Sequence, residues 1–274
     1  MSDSGARGDD SLASPLALLA QRAERARLGE VGALPWVDTL AGDGWLAIRS
    51  GAESNDLNGV LSEPGVVPGR AALVELARWF GDVPATWHAA HADDTLTSAL
   101  VEAGWRPERT GRCAGRALPL VPSGTGAGVS IRLVEDESDR RTWLDIARAC
   151  GWFGDDSAER RLRENLARDL AWPRWLAEID GAAVGMATGW RDGGVLELVD
   201  IAVIERARRR GVGTALLSAV CAWGEGADHV VGAPSPDGWG LLRAHGFANV
   251  PTVSDTAFYR VGQATASRAP EPRG

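Results

Sequence analysis

Three consecutive arginines, Arg208, Arg209 and Arg210, run directly into Gly211, Val212, Gly213 and Thr214. Successive amides, with no Cβ at Gly211 or Gly213, form a cradle for a di-anion, and the neighbouring guanidinium groups add charge for phosphate. Eleven residues before Arg208 stands Glu197, set among Leu196, Leu198 and Val199. Apolar surroundings raise a carboxyl pKa and suit it to general acid–base chemistry near neutral pH. The alternative role for Glu197 is an ion pair with a nearby arginine such as Arg191. In a regular strand Asp200 falls on the opposite face from Glu197. It is the second candidate base if the register is slipped.

The elements that must position these groups are legible. Val195, Leu196, Leu198, Val199, Ile201 and Val203 read as a strand interrupted by carboxylates. Residues 214–223 switch to helical period, with Leu216, Leu217, Val220 and Trp223 on one face and Gly224 as a stop. The turn thus lies at a helix N-terminus, where backbone amides favour an anion. A Walker loop needs a lysine, and the chain has none; G-x-G-x-x-G fails because Leu216 occupies the third glycine position.

Arg208, Gly211 and Gly213 at this strand-to-helix junction resemble the [RQ]-x-x-G-x-[GA] acyl-CoA motif of the GNAT N-acyltransferases. Gly246-Phe247, closing a later helix, is similar to the family's usual G-F pair. The resemblance implies direct acetyl transfer from acetyl-CoA, as co-substrate, to a primary amine of a small molecule. The backbone of Ile201, Ala202 and Val203 would pair with the pantetheine arm, with an amide near Val203 on the thioester oxygen. The amides of 209–214 would hold the pyrophosphate, and Glu197 would be the general base. The family's general-acid tyrosine falls on Leu242, so water, Ser235 (at the position of a frequent asparagine, near the CoA) or Tyr259, the one tyrosine, must protonate the thiolate. The acceptor site would draw on the loop with Trp152, Phe153 and Asp155 and on Trp190. Trp152 and Phe153 could stack on the acceptor or hold its cation, and Asp155 could attract it. Asp156 or Ser157 caps the next helix in the plainer reading. The rival to an enzyme is a non-catalytic acyl-CoA sensor, favoured by Leu242 and opposed by Glu197.

The net charge of −8 argues against a nucleic-acid partner, which demands a basic face. No run approaches the roughly 18 apolar residues of a membrane helix. Cys113, Cys150 and Cys221 form no C-x-x-C pair and suit a reduced, cytoplasmic protein, and His88, His91, His229 and His245 are too scattered for a metal site. The expected assembly is a monomer or homodimer.

At 274 residues the chain accommodates two small domains. A P-S-G-T-G-A-G linker at 121–128 separates a domain at 15–120 from one at 129–262, with disordered tails at 1–14 and 263–274. Each half runs helix, strand, helix, Gly-aromatic (Gly104-Trp105, then Gly246-Phe247) and strand. This internal repeat looks like a tandem GNAT of the α/β (α+β) class, each copy a mixed, mostly antiparallel sheet flanked by helices. The first copy offers only Pro68-Gly69-Arg70 where the second has its anion turn. Proline removes an amide, and that copy is expected to have lost acyl-CoA binding and to serve as scaffold or acceptor-site wall.

Overall fold

The structure is a computed structural model that describes residues 15–51, 58–63, 66–88, 94–109, 113–120, 126, 128–153, 157–250 and 256–260. Both expected tails, Asp155 and most of the linker lie outside the described residues. The first half contains α1 (Pro15–Gly32), β1 (Asp38–Gly42), β2 (Trp45–Arg49), β3 (Asn58–Ser62), α2 (Arg70–Phe80), β4 (Ala85–His88), α3 (Asp94–Glu102), β5 (Arg106–Arg109) and β6 (Cys113–Ala117). The second contains β7 (Val129–Leu133), α4 (Glu137–Ala149), α5 (Ser157–Asp169), β8 (Arg174–Ile179), β9 (Ala182–Asp192), β10 (Val195–Val203), α6 (Val212–Trp223), β11 (His229–Gly232), α7 (Pro236–Ala244), β12 (Ala248–Val250) and β13 (Thr256–Arg260).

Local chemistry accounts for the boundaries. Asp136 caps α4 by accepting from the Asp139 amide at 2.8 Å. Asp180 and Gly181, both at positive φ, make the tight turn between β8 and β9 that a D-G pair favours. Helices α2 and α3 bury Leu73, Leu76, Phe80, Leu96 and Leu100 against Trp45 and Trp87 of the first sheet and Trp105 just before β5. Helix α6 buries Leu216, Leu217 and Val220 against the second.

The two sheets repeat one topology. The first has the order β1-β2-β3-β4-β13-β5, and the second β7-β8-β9-β10-β11-β6-β12. In each, an antiparallel run leads to one parallel pair, β3 with β4 and β10 with β11. One further strand is then inserted antiparallel before the last. That inserted strand comes from the other half of the chain. β6, expected to close the first copy, pairs with β11 and β12; β13, expected to close the second, pairs with β4 and β5. The sheets therefore cross the 121–128 boundary in both directions.

Helix α1 bridges the halves as well. Its Ala23 packs with Trp190, Val195 and Val231 of the second sheet, while Leu28 and Val31 meet Ile48 and Leu61 of the first.

Candidate functional site

The chemistry-bearing strand is β10, and its shape is set by a β-bulge. Glu197 pairs with Trp190 and Leu198 with Gly189, but the next partner, Thr188, is opposite Asp200. Val199 is the extra residue. Because Trp190 and Thr188 are two apart on β9 they share a face, so Glu197 and Asp200 share it too. This corrects the expectation from regular alternation that the two carboxylates diverge. Both lie on the face that α1 covers.

Arg27 of α1 reaches down to this face. Its Nε donates to Glu197 Oε1 at 3.0 Å and to Oε2 at 2.9 Å. The Arg27 guanidinium also stands 5.8 Å from the centre of the Trp172 ring. Glu197 is thus ion-paired, as the alternative reading of the sequence allowed, but with Arg27 rather than Arg191. Arg191 instead donates to the Glu225 carbonyl and stacks on Trp223. The paired side chains remain 18% and 15% exposed, so the pair lies at a partly open edge rather than sealed in a core.

Burial dominates the electrostatics here. It pushes the Glu197 carboxyl above its usual range, with Glu24 and Asp200 adding to the rise and Arg27 opposing it. Burial likewise raises Asp200, against the Thr188 hydroxyl that faces it and then the pull of Arg27, Arg163 and Arg174. Arg174 sits on β8 beside Thr188, in the same cross-strand row as Asp200. Its amino groups donate to the carbonyls of Leu166, Leu170 and Trp172, and burial lowers its pKa to about 10. The Cys113 thiol is pushed up to about 11 by burial, then by Glu24 and Glu197.

Past the bulge β10 leaves its neighbour. Its parallel pairing with β11 runs from Val195 with His229 to Leu198 with Gly232 and stops, whereas β10 continues to Val203 along β9. Among the described residues, Ile201, Ala202 and Val203 therefore have a sheet partner on one edge only. A single 3-10 turn, Glu205–Ala207, then leads to the exposed Arg208, Arg209 and Arg210. Arg208 Nε donates to the Val203 carbonyl at 3.2 Å. Gly211 is the N-cap of α6 at φ 83°, a left-handed conformation that glycine adopts without strain, and among the described residues no side chain caps the helix. The first α6 bond at this end runs from Ala215 N to Gly211 O, leaving the amides of Val212, Gly213 and Thr214 before it. Linker residue Gly126 lies against the turn: a Cβ on Gly211 would come within 2.7 Å of the Gly126 Cα.

The other candidates disperse. Ser235 is exposed and caps α7, its Oγ accepting from the Gly238 amide at 3.2 Å. Leu242 is buried in the core. Tyr259 lies on β13, paired with Thr86 and Arg106 in the first sheet, and is not brought onto the sheet that holds Glu197. Trp152 packs on the main core and Phe153 is part of it, with Arg163 5.3 Å from the Phe153 ring centre. Trp190 is buried against α1 and donates Nε1–H to Glu30 at 2.9 Å. Asp155 lies outside the described residues. Sequence reasoning missed Arg27, Glu24 and Arg174, which carry no motif among 29 arginines and 37 acids. Among the described residues no group of three or more His, Cys, Asp or Glu could hold a metal, and no helix is long and apolar enough to cross a membrane.

Comparison with known proteins agrees with this geometry. Residues 140–247 match the family model described as the acetyltransferase (GNAT) family. The match takes in β10, the arginine-glycine turn and α6, so residues 140–247 are similar to a GNAT acetyltransferase domain. Across both halves the fold is shared with a GCN5-related N-acetyltransferase from Kribbella flavida at 19% identity and a TM-score of 0.63, over 90% of this chain and 95% of that one. A counterpart from Sphaerobacter thermophilus aligns at 17% identity and TM-score 0.54, over 89% and 92% of the two chains. A tandem GNAT protein from the clavulanic acid biosynthesis pathway aligns at 16% and 0.55, over 92% and 95%. No curated protein sequence matches the chain.

Proposed function

We propose that the protein transfers an acetyl or other acyl group from acyl-CoA directly to a primary amine of a small molecule. The observation that carries this reading is the opening of β10 from β11 after Leu198, on the strand that bears Glu197 and Asp200 and leads to the α6 N-terminus. One edge of Ile201, Ala202 and Val203 is free to pair with pantetheine. The amides of 209–214, with Arg208, Arg209 and Arg210 beside them, suit the pyrophosphate. Glu24, Glu197 and Asp200 gather on this face with Arg27, Arg163 and Arg174, and a carboxylate among them would hold the acceptor ammonium. A β10 carboxylate would remove the ammonium proton, and Glu197 occupies the position that the family resemblance gives to that base. With Leu242 buried, the thiolate would take its proton from solvent.

The first copy serves as scaffold in this reading. At its corresponding strand end, the Ser62 carbonyl already accepts from Arg25 at 2.9 Å, and the Ser62 hydroxyl accepts from the Trp87 indole at 3.2 Å. Its helix α2 starts from Gly69 at φ −62°, without the left-handed turn of Gly211. The second reading, a non-catalytic acyl-CoA sensor, draws on Leu242 and on the occupation of both Glu197 oxygens by Arg27.

Calorimetric titration with acetyl-CoA, for the wild type and Gly211→Trp, is the test, followed by release of free CoA with primary amines. Binding by the wild type alone supports the cleft. Failure of a folded wild type to bind sinks the proposal, and binding without turnover on any amine favours the sensor.

A further inference from the structure

We propose that Asp200, not Glu197, takes the proton from the acceptor ammonium, and that Glu197 is a positioning residue held by Arg27. This rests on the acyltransferase reading above. Three features of the geometry lead to it. Both oxygens of Glu197 are engaged by one Arg27 nitrogen at hydrogen-bonding distance, which stabilises the ionised form and withdraws the lone pairs that a base must offer. The bulge at Val199 turns Asp200 onto the same face, where among the described residues no ion pair within 4.0 Å engages it. Asp200 also directly precedes the backbone edge that is free to pair with pantetheine, whereas Glu197 still lies within the closed β10–β11 ladder. Of the two carboxylates, Asp200 is nearer along the strand to where the thioester would end.

The surroundings of Asp200 fit the task. Facing or flanking it are Thr188 on β9, Arg174 on β8, Arg163 on α5, Arg27 on α1 and Glu197 on its own strand, with Glu24 of α1 beyond Arg27. Burial outweighs the arginines and raises the carboxyl, which strengthens it as a base toward neutral pH. In the step, Asp200 accepts one proton of R-NH3+, directly or through a water. The freed nitrogen lone pair forms the C–N bond as the C–S bond breaks. The second nitrogen proton passes through solvent to the CoA thiolate, and Asp200 returns its proton to solvent.

The experiment compares wild type, Asp200→Asn and Glu197→Gln by acetyl-CoA calorimetry and by CoA release, using 1,4-diaminobutane and 2-phenylethylamine as protonated acceptors. Hydroxylamine, largely unprotonated at neutral pH, is the acceptor that needs no base. Asp200→Asn is expected to bind acetyl-CoA as the wild type does and to lose about 100-fold or more in kcat on the alkylamines. It is also expected to lose the acidic limb of the kcat/KM profile while keeping its rate on hydroxylamine. Glu197→Gln is expected to keep that limb and to change KM more than kcat. Loss of the limb in Glu197→Gln with its retention in Asp200→Asn overturns the assignment. Acetyl-CoA binding by a wild type that acylates none of the three probes favours the sensor and fails the underlying reading rather than the choice between the two carboxylates. Absence of acetyl-CoA binding in the wild type is a failure of the underlying reading instead, and calorimetry alone detects it.

Discussion

Arg27 on α1 and Glu197 on β10 are 170 residues apart in the chain and 2.9 Å apart in space. Two positions earlier on the same helix, Arg25 reaches the opposite way and caps the Ser62 carbonyl of the first sheet. Residues two apart on a helix point to nearly opposite sides, so α1 sends one arginine into each half. In the first half that contact satisfies the end of β3. In the second it holds a carboxylate at the edge of the proposed acceptor site.

Arg27→Met is expected to destabilise the protein by about 3 kcal/mol, because it strands the charge of Glu197 in a buried place. The double change Arg27→Met with Glu197→Leu should recover most of that loss. Urea midpoints of the three variants check both statements; a double variant no better than the single one sinks the explanation.

Glu197 and Asp200 both have raised carboxyl pKa values, chiefly through burial. The native state therefore holds protons that the unfolded chain has already released above its ordinary carboxyl range, near pH 4. Stability is expected to fall as pH rises from there through the raised native values. Asp200→Asn should flatten that slope and stabilise the protein at neutral pH, by about 1.4 kcal/mol for each unit of the native shift. Denaturant titrations at several pH values read it directly, and an unchanged slope would refute the claim.

The two turn glycines should respond differently to alanine. At Gly211 the positive φ and the Gly126 backbone at 2.7 Å leave no room, and a loss of about 1–3 kcal/mol is expected together with acetyl-CoA affinity. At Gly213 the obstacle is the tip of the Leu241 side chain at 3.1 Å, which can shift, and the cost should stay under about 1 kcal/mol. Thermal melts and calorimetry on the two variants distinguish them.

Cutting the chain between residues 120 and 126 should give two pieces that do not fold separately, since each sheet lacks an interior strand, next to its last, without the other piece. Co-expression of the pieces should restore a soluble complex. Independent folding of either piece, seen as a cooperative melt, would contradict the exchange of β6 and β13.

What the sequence showed and what it hid follow from the range of the interactions. The turn, its helix and the tight hairpin at Asp180-Gly181 are local, and glycine positions with apolar periodicity mark them. The bulge at Val199 is not local in that sense. Val199 is one more β-branched residue in an apolar run, and only the partner strand reveals the skipped position. The partner of Glu197 was hidden because any of 29 arginines could have filled the role. The exchanged segments read as strands, but hydropathy says nothing about which sheet will receive them.

The place of β13 has a consequence for how the protein is born. Its slot between β4 and β5 stays open while the ribosome makes nearly the whole remainder of the chain. During that interval two facing strand edges are unpaired, the kind of surface on which nascent chains stick to one another. The first half to be synthesised is thus the last to be closed, and chaperone protection would matter most just before the final strand emerges.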